Sequence, residues 1–344
     1  MKRILVAMSG GVDSAAACVL LRSRGFEVGG GTMLLRSGGE QEARSAEEAA
    51  RQMDIPFHLF DLREEFVQNV IAPFTRVYQD GGTPNPCIFC NNTMKFGLLL
   101  ERALALGYDG IATGHYARVE RAAESGRYLL KTAADGAKDQ TYMLYGLSQR
   151  QLARTCFPLG DMRSKQAVRD LAQQAGLRLA QKHDSQDICF VPDGDYMGYL
   201  MAHGLTPQAG NFLSPEGKTL GQHRGVEAYT IGQRRGLQLA CGSRVYVVDK
   251  RGADVVVGQE SLLYSRRVFV KDVNWIPFAQ LTAPLRVQAK LRYSHKTAAA
   301  TLSASDCGCE LLFDEPQRAV TNGQAAVFYD GDCVVGGGTI CGTE

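Results

Sequence analysis

Ile4-Leu5-Val6-Ala7-Met8 is an unbroken apolar run, and it leads into Ser9-Gly10-Gly11-Val12-Asp13-Ser14 and then the alanine-rich stretch from Ala15 to Arg24. A run that is apolar at every position predicts a parallel strand covered on both faces. The glycines predict a tight turn, and the alanine-rich stretch a helix. Strand, turn and helix in that order gather backbone amides and a helix N-terminus around one point, where they attract an anion. Two serine hydroxyls add donors. Asp13 repels phosphate directly, but with Mg²⁺ between them its carboxylate becomes a useful partner, because the ion bridges both sets of oxygens. The turn lacks the lysine of a GxxxxGK phosphate loop and the GxGxxG dinucleotide spacing. It is therefore better suited to holding pyrophosphate as a leaving group than to passing on a γ-phosphate.

The alternation continues. Glu27 to Leu35 predicts a second strand, about Gln41 to Met53 a helix, and Phe57-His58-Leu59-Phe60-Asp61 a third strand. Asn92 to Leu106 predicts a helix ending near Gly107, followed by the short strand Gly110-Ile111-Ala112-Thr113. This is the pattern of an α/β domain with a mostly parallel sheet and ligand loops at the strand C-termini. After about residue 200 the pattern changes: glycines become frequent, and β-prone runs follow at 245–248, 267–270, 285–291, 310–313 and 325–329. We read 1–200 as a nucleotide-binding catalytic domain, 201–260 as a small mixed domain and 261–344 as a β-barrel-like domain.

The 344 residues are 45% hydrophobic and 22% charged, as in a water-soluble globular protein. No stretch reaches the roughly 18 apolar residues of a membrane span. The apolar run after Met1-Lys2-Arg3 is too short for a secretory signal, so the expected location is the cytoplasm, with no membrane partner. A net charge of +2 hides an uneven distribution: residues 201–300 carry 14 basic and 6 acidic side chains, an excess suited to a phosphate backbone or simply to a solvated face.

Ten cysteines are spread through the chain, and only Cys87-x-x-Cys90 and Cys307-x-Cys309 are tightly spaced. Cys90 lies just before the expected helix start at Asn91, a position that lowers a thiol pKa. Such a thiolate attacks sulfur or carries it as a persulfide. Cys189, among Asp184, Asp187 and Asp193, is by itself a buried core cysteine. Cys307 and Cys309 have no nearby pair to complete a tetrahedral metal set and read as structural, as do Cys333 and Cys341 in a glycine-rich C-terminal tail.

The Ser9–Ser14 segment resembles the signature of the pyrophosphatase-loop ATP enzymes, which adenylate a carbonyl and release pyrophosphate. Nearly the whole chain resembles the bacterial tRNA-specific 2-thiouridylase family. The matching stretches are Ala7 to Ser14, Thr83-Pro84-Asn85-Pro86-Cys87-Ile88-Phe89-Cys90-Asn91, Lys95-Phe96, Thr113-Gly114-His115-Tyr116, Lys138-Asp139-Gln140, Ser185-Gln186-Asp187-Ile188-Cys189-Phe190, and Gly225 through Leu237. The resemblance implies a Rossmann-like, adenine nucleotide alpha hydrolase-type sheet and a reaction in which ATP activates the C2 oxygen of the wobble uridine, position 34, in the lysine, glutamate and glutamine tRNAs. Sulfur then replaces that oxygen, and AMP and pyrophosphate leave.

Residue by residue, it implies ATP contacts at Ala7, Met8, Ser9, Gly10, Gly11, Val12, Asp13, Ser14, Met33 and Gly114, with Asp13 on the Mg²⁺. It implies base contacts at Asn85, Pro86 and Cys87, and tRNA contacts at His115, Lys138, Asp139, Gln140, Arg292, Tyr293 and Gln324. Cys90 becomes the catalytic cysteine and Cys189 the persulfide carrier, the two able to form a disulfide. Arg224, Arg234 and Arg235 in the basic middle region suit tRNA phosphates. The sulfur donor implied is a cysteine desulfurase, a persulfide relay protein or free sulfide.

One departure from the family pattern is Cys87, where an aspartate is usual. Cys87 either replaces that general base as a thiolate, is inert, or joins Cys90 and Cys189 as a third soft ligand for zinc or a 4Fe–4S cluster. The rival readings are another adenylating enzyme of this loop class, such as a 4-thiouridine-forming or amidotransfer-type enzyme, a non-enzymatic RNA-binding protein, and a redox protein using Cys87 and Cys90.

Overall fold

The computed structural model of the chain describes residues 1–177, 188–191, 194–240 and 242–344. Ser185, Gln186 and Asp187 of the expected motif, with Asp184 and Asp193, lie outside the described residues. The N-terminal part alternates as the sequence predicts: β1 (Arg3–Ala7), α1 (Val12–Ser23), β2 (Glu27–Leu34), α2 (Glu40–Gln52) and β3 (Phe57–Asp61). A helical layer follows, made of α3 (Arg63–Phe66), α4 (Ala72–Gln79), α5 (Pro86–Phe89) and α6 (Leu100–Ala105), with wider i→i+5 turns at Val67–Ile71 and Cys90–Leu99. Next come β4 (Gly110–Ala112), the hairpin β5 (Ala117–Arg121) and β6 (Tyr128–Thr132), α7 (Gln149–Leu152), β7 (Thr155–Cys156), α8 (Lys165–Gln174) and α9 (Tyr196–Ala202).

The first sheet is parallel throughout, in the order β3-β2-β1-β4-β7. Ile4, Leu5 and Val6 are fully buried because helices cover both faces, as the continuous apolar run requires. Strand order reverses direction at β1, with β2 on one side and β4 on the other, so a crevice opens at its C-terminal end. The Ser9–Ser14 turn sits there.

The central part is a mixed four-stranded sheet of β8 (Gly210–Leu213), β9 (Thr219–His223), β10 (Tyr246–Arg251) and β11 (Asp254–Gly258), packed on Phe212, Tyr229 and Val247. The C-terminal part is a closed barrel of β12 (Tyr264–Trp275), β13 (Leu285–Lys290), β14 (Ala298–Ser305), β15 (Gly308–Arg318), β16 (Ala325–Asp330) and β17 (Cys333–Thr343), shut by the β12–β17 pairing. The expected glycine-rich tail is thus a strand: glycines 336–338 let neighbouring backbones approach, and a Cβ on Gly336 would lie 2.3 Å from the Asn274 carbonyl.

The parts interlock. β6 pairs with β17, which attaches the β5–β6 hairpin to the barrel sheet. One apolar core runs from Leu5 and Phe96 through Tyr142 to Ile276, Val327 and Val334, and so belongs to both the α/β part and the barrel. No helix among the described residues is long and apolar enough to cross a membrane. Phe313 is fully buried in the barrel core. Phe313→Ala should lower the unfolding free energy by about 3–5 kcal/mol; a urea midpoint within error of the unsubstituted protein would show that the barrel is not part of the cooperative unit.

Candidate active site

Gly10 has φ +71°, and a Cβ there would lie 2.9 Å from the Ser45 Cβ and 3.0 Å from the Glu42 carbonyl, so the turn requires glycine. Ser14 Oγ accepts from the Ser9 N–H at 3.3 Å and donates to the Gly11 carbonyl at 3.0 Å, which closes the turn on itself. Gly11 caps α1 without a side-chain acceptor, leaving first-turn amides open toward the crevice. Gly114 packs against this turn so closely that a Cβ would lie 2.8 Å from the Asp13 Cβ. Met33, half-buried near the end of β2, packs against Phe60 and the neighbouring core.

Asp13 is held from both sides. Lys165 Nζ lies 2.6 Å from one carboxylate oxygen, and the Tyr116 hydroxyl donates to the other at 3.0 Å. Lys165 is the first residue of α8, which packs along α1. The turn that lacks its own lysine therefore receives one from 152 residues away. Sequence reading missed Lys165 because nothing at the turn announces it; only the packing of two amphipathic helices brings it in.

The thiols come next. The helix expected from Asn92 starts six residues earlier, at Pro86, with Asn85 as its cap: the Asn85 side-chain oxygen accepts from the Cys87 N–H at 3.2 Å. Proline in the first turn and asparagine at the cap are strong start signals. Consequently Cys87, not Cys90, occupies the first turn, and Cys90 stands inside a continuous helix. The depressed Cys90 pKa expected from a helix N-terminus is not found; burial pushes the Cys90 thiol up to about 11. Burial also raises Cys87 and Cys189, although each keeps some contact with solvent.

Phe190 packs edge-on against Phe66 and Phe74, at 5.5 and 5.3 Å between ring centres, and so docks the 188–191 segment onto the helical layer beside Cys90. This brings Cys189 within electrostatic range of Cys87 and Cys90. Lys95 acts on all three thiols and also on His115, in each case as a positive charge. The three thiols do not form a ligand set: no group of three His, Cys, Asp or Glu among the described residues is placed to share a metal ion.

The remaining expected contacts divide into exposed and internal groups. Arg224, Arg234 and Arg235 are exposed, and Tyr293 is 42% exposed. Lys138 is half-buried. Asp139 accepts from the Ala133 N–H and the Thr141 hydroxyl, and Gln140 accepts from the Tyr116 N–H, so both shape the loop that carries them. Arg292 donates to the Ile231 and Ala319 carbonyls and to Thr321 Oγ1, tying the central sheet to the barrel. Gln324 donates to the Thr83 carbonyl at 2.8 Å, while the Thr83 N–H reaches the Asn322 carbonyl at 2.9 Å. The barrel thereby grips the loop that leads to Asn85, Pro86 and Cys87.

His115 is walled by Phe96 and Phe157, its Nδ1 2.6 Å from Thr113 Oγ1, and burial with the Lys95 charge holds its pKa well below the ordinary 6.5. The imidazole is neutral at pH 7. Because the folded form refuses a proton that the unfolded chain accepts, its contribution to stability should be full above about pH 6.5 and decline as pH falls from there toward the folded pKa. Ring-proton NMR should show His115 unchanged between pH 8 and 6; a midpoint near 6.5 would contradict the burial argument.

Residues 2–193 match the family described as the tRNA methyl transferase HUP domain, 199–259 the tRNA methyl transferase PRC-barrel domain, and 265–340 the aminomethyltransferase beta-barrel domain. The chain is 47% identical to the tRNA-specific 2-thiouridylase MnmA of Syntrophotalea carbinolica over 98% of each chain. It is 46% identical to that of Halothermothrix orenii over 99% of each, and 43% identical to that of Clostridium acetobutylicum over 98% of this chain and 99% of the other. Similarity of this extent, across all three parts of the fold, makes the chain a member of the tRNA-specific 2-thiouridylase family.

Proposed function

We propose that this protein uses ATP to adenylate the C2 oxygen of uridine 34 in the lysine, glutamate and glutamine tRNAs and replaces that oxygen with sulfur, releasing AMP and pyrophosphate. The observation that carries the reading is the junction at Gly114-His115. Gly114 packs on the nucleotide turn at Asp13, while His115 shares the Lys95 field with the thiols of Cys87, Cys90 and Cys189. Activation and sulfur delivery thus have one place to meet.

The open amides of α1 and the residues Ala7 to Ser14 would hold the triphosphate, with Met33 and Gly114 at the adenosine side. Asp13 fits as the carboxylate for Mg²⁺, which neutralises phosphate charge when bound; Lys165 would then be released from Asp13 toward the phosphates. Asn85, Pro86 and Cys87 would receive the base, extruded from a single-stranded loop. Tyr293 and Lys138, with the exposed arginines of the basic middle region, would hold the tRNA, while Arg292, Asp139 and Gln140 support the surface from behind. A cytoplasmic setting goes with this substrate.

For the sulfur step we favour the persulfide route, because no three metal-ligating side chains among the described residues are placed to share an ion. A donor such as a cysteine desulfurase, a relay protein or sulfide would charge Cys189. The terminal persulfide sulfur bonds to C2 as AMP departs, and the Cys90 thiolate takes the Cys189 sulfur to form a disulfide, leaving 2-thiouridine. An external thiol must then reduce the disulfide.

Purified protein with ATP, Mg²⁺, a persulfide donor and unmodified glutamate tRNA should yield 2-thiouridine and AMP by nucleoside mass analysis. Cys90→Ala and Cys189→Ala should abolish the product, whereas Cys87→Ala should remain within about tenfold, about 1.4 kcal/mol in barrier. Formation of 4-thiouridine, or AMP release indifferent to RNA, would overturn the reading.

A further inference from the structure

Lys95 lies five residues after Cys90. In an α-helix that spacing puts two side chains about 140° apart around the axis. The stretch Cys90–Leu99 is wound in i→i+5 turns instead, which bring residue i+5 back toward residue i. Gly97 fits the same winding: a Cβ there would lie 3.2 Å from the Asn92 carbonyl, five residues back. The wider turn brings Lys95 closer to the Cys90 side of the helix than an α-helix would, and its charge acts on Cys90 and on Cys189 of the docked 188–191 segment alike.

Lys95 is half-buried and has no carboxylate partner among the described residues. A half-buried cation with no carboxylate beside it favours the charged form of an acidic group that comes near. The groups facing the thiols are few. From the thiol helix come Cys87, Cys90 and Lys95, and from the docked segment Cys189. Arg36 after β2 and Tyr199 on α9 act with Cys189, and Tyr293 from the barrel with Cys87. No carboxylate among the described residues is a leading influence on any of the three thiols, and Lys95 is the cation common to all of them.

We propose that Lys95 is the resident counter-cation of the sulfur-carrying thiols, holding the negative charge of the Cys90 thiolate and of the persulfide on Cys189 while the terminal sulfur passes from Cys189 to the base and the two cysteines join in a disulfide. The inference rests on the reading of Cys90 and Cys189 as the sulfur carriers. When the Cys90 thiolate bonds to the Cys189 Sγ, the bond from that Sγ to the outgoing sulfur breaks, and the electron pair leaves on the outgoing sulfur. Two cysteines are oxidised to a disulfide and one sulfane sulfur is reduced. The single negative charge moves by one atom at each end, and the proton lost from Cys90 has already gone to solvent. One fixed cation within reach of both ends stabilises the thiolate, the transition state and the leaving sulfur in turn.

The test measures alkylation of Cys90 by neutral iodoacetamide at pH 8, without ATP, tRNA or metal, followed by peptide mass analysis. Lys95→Met should slow Cys90 alkylation about tenfold, equivalent to about one pKa unit. Lys95→Arg should restore it, and exposed Cys307 on the barrel should react alike in all variants. If Lys95→Met fails to fold, as judged by circular dichroism, Lys95→Gln takes its place. Cys90 reacting at the original rate without the cation, or as slowly with arginine as with methionine, would overturn the proposal. The outcome is independent of the functional reading, which fails separately if the unsubstituted protein makes no 2-thiouridine.

Discussion

A strand buried on both faces can meet a ligand only at its ends. Ile4, Leu5 and Val6 are fully buried between two helical layers, so β1 has chemistry available only where it stops, at Met8 and Ser9. Because β2 and β4 leave β1 in opposite directions of the sheet order, the space beyond that point is not roofed by a crossover helix. Every other element of the site is arranged around this opening. Gly114 enters from the end of β4, Lys165 from α8, and Met33 from the end of β2.

The thiol half of the site is set by a contest between burial and charge. Desolvation raises all three thiols, and it outweighs the Lys95 field at each of them. At neutral pH the resting thiols are therefore mostly protonated and slow to react with stray oxidants. A persulfide, ionising more readily than a thiol, would be the first species in this pocket to carry charge. The barrel contributes to the same region by gripping Thr83 through Asn322 and Gln324, so the active site of this 2-thiouridylase is not contained in the α/β part.

The strands β1 through β4 and the helices α1 and α2 were legible because burial on two faces and helical periodicity leave strong patterns, whereas the helical turns at 63–79 were not read. The start of the thiol helix was missed because Pro86 reads as a breaker until Asn85 is recognised as its cap. β17 was missed because its glycines, read locally, signal a tail; only the close approach of β12 and β16 explains them. In the site, the turn and the cysteines announced themselves by residue type and spacing. Lys165 did not, since it depends on tertiary packing; Lys95 stood out only as part of the Lys95-Phe96 stretch, because its place beside the thiols depends on a helical winding that composition does not reveal. Arg292 and Gln324 were singled out as contacts for tRNA, and their side chains are engaged within the protein, where distance in sequence concealed their partners.

The attachment of β6 to β17 has a consequence for how the molecule is made. Arg118 reaches its ion-pair partner Asp332 across 214 residues of chain, and the β5–β6 hairpin has no other sheet to join. During synthesis the α/β part therefore emerges with an open, unpaired strand edge that must wait for the barrel. Contacts of such long sequence separation form late and slowly, and an exposed edge in the interval invites pairing with the wrong chain. The β5–β6 hairpin thus gains its sheet neighbour only when β17, the last strand of the barrel, is in place.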